Sequence, residues 1–312
     1  MKTLKNLLVS TLLVLGLFAC KTQKLDVQTQ TVSVATDKPQ SVYVNGEKLH
    51  YIIQGSGEPL IFIHGTVGDY RVWIPRVEEY SKNFEVIAYS RRYAYPNKKV
   101  FDQTADYSPR IHADDLYALI KKLGFKKVNL VGHSYGAFTA LTMALDHPEL
   151  VKSLVLGEPP ASSLLENSSS GKASFNQFKK HYIQPAGEAF STGENEKGVE
   201  SFLKGVMGDD FSINQVPPKV KQRWMDNLPE VSGVTTVKWE LPLEMSKIKE
   251  LEIPVLLLMG DQSPAWFGEI IKELHRSLPQ SELITIENSS HGLYFENPQA
   301  CDKAITEFLS RN

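Results

Sequence analysis

The residues with the clearest chemical meaning are Gly132-His133-Ser134-Tyr135-Gly136. They lie between an apolar run, Val128-Asn129-Leu130-Val131, and a segment where Ala137, Ala140, Leu141, Ala144 and Leu145 recur at helical spacing before Pro148. A Gly-x-Ser-x-Gly pattern alone is common. Held between a strand and a helix, it describes a sharp turn that thrusts the serine hydroxyl out at the carboxyl edge of a sheet. The flanking glycines let neighbouring backbone come close there. The helix start also places the Tyr135 N–H and the positive end of a dipole beside that hydroxyl. A serine hydroxyl is a poor nucleophile near neutral pH and needs an imidazole to take its proton as it attacks. The candidate is His291, in Asn288-Ser289-Ser290-His291-Gly292, just after the last apolar run. His133 reads as packing, and His112 and His181 have no evident partner.

Such groups must be carried by a rigid frame, and the rest of the chain describes one. Val42-Tyr43-Val44 and Leu49 to Ile53 flank Asn45-Gly46, a hairpin signal. Leu60 to Ile63 is a continuous apolar run, the pattern of a strand buried on both faces. Val86 to Ala88, Val128 to Val131, Leu154 to Leu156, Val255 to Met259 and Leu283 to Ile286 repeat it. Between them, Leu116, Leu119, Ile120 and Leu123 predict a helix stopped by Gly124, and Asn297-Pro298 opens a last helix with an N-cap and an N1 proline. The alternation implies an α/β fold with a mostly parallel sheet covered on both faces. It breaks between about Pro159 and Leu251, where Phe175, Phe178, Tyr182, Phe190, Phe202, Trp224 and Trp239 occur without a convincing strand. A connection this long calls for its own structure, and residues 161–245 are read as an inserted cap or lid. The core is then 40–160 and 246–312.

Of the 312 residues, 42% are hydrophobic and 22% charged, with a formal net charge of −2. These values suit an ordinary globular protein and give no basic field for nucleic acid. Lys2 and Lys5 precede an apolar stretch, Leu7 to Phe18, which is shorter than the ~20 residues of a membrane-spanning helix. Residues 1–19 read as a signal peptide ending at a lipoprotein-type box, Leu17-Phe18-Ala19-Cys20. Cys20 is then the lipidation site, and residues 20–39 form a flexible tether. An exported protein held at a bacterial membrane, facing the periplasm or cell surface, is expected. Lipid on Cys20 leaves Cys301 without a disulfide partner, and Cys301 falls on the apolar stripe of the last helix. No metal-ligand spacing is present and no cofactor is expected. The oligomeric state stays open.

Taken together, these motifs resemble the α/β-hydrolase family over roughly Val42 to Leu309. The resemblance implies an eight-stranded sheet and a triad in the chain order serine, acid, histidine. It also implies that the His64-Gly65-Thr66-Val67 loop shapes an oxyanion hole, with a backbone N–H of Thr66 or Val67 joining that of Tyr135. His64 is then a loop-shaping residue. Family members place the acid after the seventh strand, as the Asp of a Gly-x-x-Asp run. Here the run is Gly260-Asp261-Gln262-Ser263, with Ser263 in the acid position and Asp261 two residues early. A second location in the fold, at the end of the sixth strand, holds Glu158, which is favoured, with Asp261 as the alternative acid. Ser90-Arg91-Arg92-Tyr93 is read as forming structural ion pairs.

The expected activity is cleavage of an ester or related acyl bond in a small to medium substrate. Carbon–carbon bond hydrolysis or perhydrolysis with the same triad is an alternative, as is a catalytically silent ligand-binding lipoprotein. A serine nucleophile argues against epoxide-hydrolase chemistry, which on this fold uses an aspartate.

Overall fold

A computed structural model describes residues 38–97 and 99–312. The signal peptide, Cys20 and nearly all of the tether therefore lie outside the described residues. Strands β1 (Gln40–Val44) and β2 (Glu47–Gly55) form the hairpin, turning through Asn45 and Gly46 at φ 48° and 78°. Positive φ at both central residues is what a two-residue hairpin turn requires. The other strands are β3 (Glu58–Ile63), β4 (Phe84–Tyr89), β5 (Val128–His133), β6 (Val151–Gly157), β7 (Val255–Gly260) and β8 (Ser281–Ile286). They make one eight-stranded sheet in the order β1-β2-β4-β3-β5-β6-β7-β8. Only β2 pairs antiparallel, with β1 and β4; the rest is parallel.

Why the runs are continuously apolar is clear from where each residue goes. Side chains alternate across a strand. Ile61, Ile63, Leu130, Leu154 and Leu257 join a core on one face, and Leu60, Phe62, Val131, Val155 and Leu256 join a second core on the other. The helices covering these faces come from the connections: α1 (Ile74–Tyr80), α2 (Pro109–Lys122) and α3 (Tyr135–Asp146). After α2 the chain passes Gly124 at φ 82°.

The β6–β7 connection holds α4 (Ser169–Phe178), α5 (Gln184–Ser191), α6 (Asn195–Met207), α7 (Pro218–Met225), α8 (Leu228–Thr236) and α9 (Met245–Lys249), with no strand. It includes the region read as a cap. Its aromatic residues belong to the sheet's own core: Phe175 and Phe178 lie 5.1 and 5.0 Å from the ring of Trp266. Trp266 sits on α10 (Ala265–Ser277). Helices α11 (Leu293–Glu296) and α12 (Pro298–Leu309) close the chain. Asn297 caps α12 by accepting from the Ala300 N–H, and Cys301 is buried on its inner face.

Buried ion pairs follow β4. Arg91 pairs with Glu230 of α8, both side chains fully buried, and Arg92 bonds Asp115 of α2 at 2.6 and 2.7 Å. The Ser90-to-Tyr93 loop thus holds the structural ion pairs expected of it.

All parallel strands end on one edge. β3 runs into His64, β5 into Ser134, β6 into Glu158 and β7 into Asp261. The turn from β5 into α3 is tight: a Cβ on Gly136 would lie 2.3 Å from the Ile63 carbonyl oxygen and 2.5 Å from that of His64. Gly136→Ala must therefore push β3 from α3. It should lower unfolding free energy by about 2–3 kcal/mol, at the upper end of overpacking costs, in urea titration. A variant as stable as the parent would contradict this close approach.

Candidate active site

Ser134 occupies the turn at φ 53° and ψ −122° as the residue preceding α3. A non-glycine residue in such backbone costs on the order of 1–3 kcal/mol and persists only where its surroundings enforce it. Enforcement comes from the Ser134 N–H donating to the Gly157 carbonyl at 2.7 Å and from the Ser134 carbonyl accepting from Phe138 at 3.0 Å. The β5–β6 register ends at His133 opposite Gly157, so Ser134 and Glu158 leave adjacent strand ends.

Glu158, also at positive φ (48°), has no solvent exposure. One carboxylate oxygen accepts from His291 Nδ1 at 2.6 Å, the other from the Gly260 N–H at 2.8 Å. Burial raises its carboxyl pKa, opposed by the nearby Ser263 hydroxyl and the Gly260 N–H. His291 is 4% exposed and stacks on Phe267, with centroids 4.1 Å apart and planes at 12°. Burial pushes its imidazole well below the ordinary value. The ring is therefore neutral near pH 7, with its proton on Nδ1 toward Glu158 and its Nε2 lone pair available as a base.

Asp261 is elsewhere. Its exposed side chain accepts from the Ser289 N–H at 3.0 Å, and the Ser289 and Asn288 N–H groups hold its carboxyl below the ordinary range. It ties down the loop that carries His291.

His133, expected to be packing, donates from Nε2 to the His291 carbonyl at 2.8 Å. Burial, with the neighbouring His291 imidazole adding to it, takes its pKa down to about 3, so it stays neutral and keeps that bond. Only its place beside Ser134 in the motif marks it in the sequence. His64 has both nitrogens engaged, Nε2 accepting from the Arg91 N–H at 3.0 Å and Nδ1 donating to the Gly65 carbonyl at 2.8 Å. It shapes its loop and has no lone pair to offer.

That loop comes close to Ser134: a Cβ on Gly65 would lie 3.2 Å from the Ser134 Cβ. Thr66 and Val67 line the same cavity as Ser134 and His291. Tyr135 begins α3, where the first N–H groups have no acceptor within the helix. Asp69, buried next along, accepts from Arg71 at 2.7 and 2.8 Å and from Asn227 Nδ2 at 2.8 Å. Arg71 reaches on to Asp226 at 2.8 Å. Nothing in the sequence joins these four across more than 150 positions.

The cavity holds about 280 Å³, near the lower end of small-molecule pockets, which span roughly 300–1,000 Å³. Phe202, Val206 and Met207 of α6 and Val220 and Trp224 of α7 make much of its wall. Among the described residues, no group of three or more His, Cys, Asp or Glu is placed to hold a metal ion.

A buried serine, imidazole and carboxylate at the carboxyl edge of a mostly parallel eight-stranded sheet define an α/β-hydrolase architecture. A family profile described as the alpha/beta hydrolase fold matches residues 58–298, and the chain belongs to that family. It is 24% identical over 269 residues to (E)-2-((N-methylformamido)methylene)succinate hydrolase of Acinetobacter baylyi, covering 85% of this chain and 95% of that protein. It is also 24% identical to epoxide hydrolase 3 of Xenopus tropicalis, covering 86% and 76%. Among solved structures, carboxylesterase CesB of Bacillus subtilis superposes with a TM-score of 0.68 at 19% identity, covering 91% of this chain and 95% of that one. Epoxide hydrolase CorEH gives 0.70 at 20% identity, covering 88% and 99%. These relatives are hydrolases of differing chemistry on a shared fold.

The His291 protonation state is measurable without any substrate. In an NMR pH titration of the ring nitrogens, His291 should remain neutral well below pH 6.5. Phe267→Ala, by admitting water, should move its midpoint back up toward 6.5. A wild-type midpoint at or above 6.5 would contradict the burial argument.

Proposed function

We propose that the protein is a serine hydrolase that cleaves an ester or related acyl bond of a small to medium substrate. The observation carrying this reading is the buried His291–Glu158 hydrogen bond beside a serine held at positive φ. Ser134 Oγ attacks the carbonyl while His291 Nε2 takes its proton, and Glu158 stabilises the imidazolium. The N–H of Tyr135, with that of Thr66 or Val67, receives the developing oxyanion, an interaction whose loss typically costs ~3–4 kcal/mol of barrier lowering. The imidazolium then protonates the leaving group. Water, deprotonated by the same ring, releases the acid from the acyl-enzyme. A serine at position 134 supports this over the chemistry of the epoxide-hydrolase relatives, which needs a carboxylate there.

A fluorophosphonate probe should label the wild type and not Ser134→Ala. Absence of labelling in the folded wild type would favour a silent ligand-binding protein. Glu158→Gln should lower turnover of a chromogenic ester by about 10⁴-fold, while Asp261→Asn should cost less than about tenfold. The opposite ranking in two equally stable variants would overturn the assignment of Glu158.

We also propose export and anchoring through Cys20. Mass spectrometry of membrane-extracted protein should find diacylglycerol on that residue, and an unmodified soluble form would refute it.

A further inference from the structure

Arg223 lines the cavity that holds Ser134 and His291, amid Phe202, Leu203, Val206, Val220 and Trp224. It lies on the face of α7 that also presents Val220 and Trp224, one turn or less away on the same helix. The carboxylates on neighbouring elements are engaged with other groups. Asp69 is held by Arg71 and Asn227, and Asp226 accepts from Arg71 at 2.8 Å and from Gln222 at 2.9 Å. Among the described residues, no carboxylate lies within 4.0 Å of the Arg223 guanidinium. Arg71, by contrast, has two.

A cation in an apolar wall without a counterion is costly, and a guanidinium cannot shed its proton to escape that cost. Half-burial lowers the pKa of Arg223, with Arg71 adding to the effect and Asp69 opposing it. A group of this kind is relieved by an anion that arrives from solvent.

Resting on the hydrolase reading above, we propose that Arg223 is a specificity residue and that the substrate is a small acyl compound bearing a carboxylate. The guanidinium fork matches a carboxylate bidentately. Among the described residues Arg223 is also the single lysine or arginine on the cavity wall, which suits a monoanion better than a phosphate dianion. The apolar remainder of the wall takes the carbon chain between the carboxylate and the scissile carbonyl.

Two esters differing in one charge test this: mono-p-nitrophenyl glutarate and p-nitrophenyl methyl glutarate. The wild type should favour the acid in kcat/KM by about tenfold to a hundredfold, the range of a hydrogen bond to a charged group. In Arg223→Met, with folding checked by its thermal melt, that ratio should fall to about one. Arg223→Lys should keep part of it, because the charge remains while the fork is lost. Equal rates for the two esters in the wild type, or an unchanged ratio in Arg223→Met, would overturn the proposal.

A second measurement does not depend on turnover. Calorimetric binding to Ser134→Ala should favour monomethyl glutarate over dimethyl glutarate by about tenfold or more, and the additional Arg223→Met change should abolish the preference. If neither ester is hydrolysed, the hydrolase reading fails alone. The binding preference then upholds the Arg223 assignment, and its absence removes it.

Discussion

Glu158 has no contact with water, and a buried carboxylate is tolerated only where donors reach it. Its two donors come from different elements. The Gly260 N–H lies at the end of β7, and His291 Nδ1 sits on the loop after β8. Its own N–H donates to the Leu258 carbonyl at 3.3 Å. One side chain therefore sets the relative positions of three successive strand ends. Removing either donor would leave a charge stranded in the core, at a cost typically of about 3–5 kcal/mol. The strain at Ser134 and the strain at Glu158 lie on neighbouring strands, and the Ser134–Gly157 backbone bond joins them.

Around that carboxylate the imidazole is held from every side. Phe267 stacks on its face, Glu158 accepts a hydrogen bond from its Nδ1, and His133 bonds its backbone carbonyl across 158 positions. Gly260 lets the loop approach, since a Cβ there would lie 2.3 Å from the Ser289 carbonyl oxygen. Glu296 accepts from the Ser290 N–H at 2.6 Å and Asp261 from the Ser289 N–H at 3.0 Å, so the loop before His291 is fastened at consecutive residues. The result is an imidazole held on a scaffold that has little room to shift.

Much of this was legible in residue order because it is local. Asn45-Gly46 marked the hairpin, Gly124 ended a helix, and Asn297-Pro298 began one. The apolar runs marked strands buried on both faces. Ser134 was legible because its motif falls between a strand and a helix, and His291 because it follows the last strand. Glu158 was favoured over Asp261 only by its place at the end of the sixth strand, since spacing cannot say which carboxylate the β6–β7 and β7–β8 registers carry to the imidazole. Ser263 shows why the departure from the common Gly-x-x-Asp run is consistent: its hydroxyl lies near Glu158, where an aspartate would add a second negative charge. The bond from His133 to His291, the network of Asp69, Arg71, Asp226 and Asn227, and the place of Arg223 were not legible. The first joins the end of β5 to the loop after β8, and the other two depend on how helices α4–α9 fold back over the sheet edge, where no strand pairing fixes their order.

The fully buried pair between Arg91 and Glu230 bears on how this fold could be altered. Arg91 belongs to the loop that leaves β4 and also donates to the His64 carbonyl at 3.2 Å, whereas Glu230 belongs to the β6–β7 connection. Exchanging that connection for the equivalent stretch of a relative, to import a different pocket, would leave Arg91 an orphaned cation beneath the loop that closes over Ser134. A chimera would need either an acid returned at the Glu230 position or a neutral residue in place of Arg91. The two regions can diversify, but at this point only as a pair.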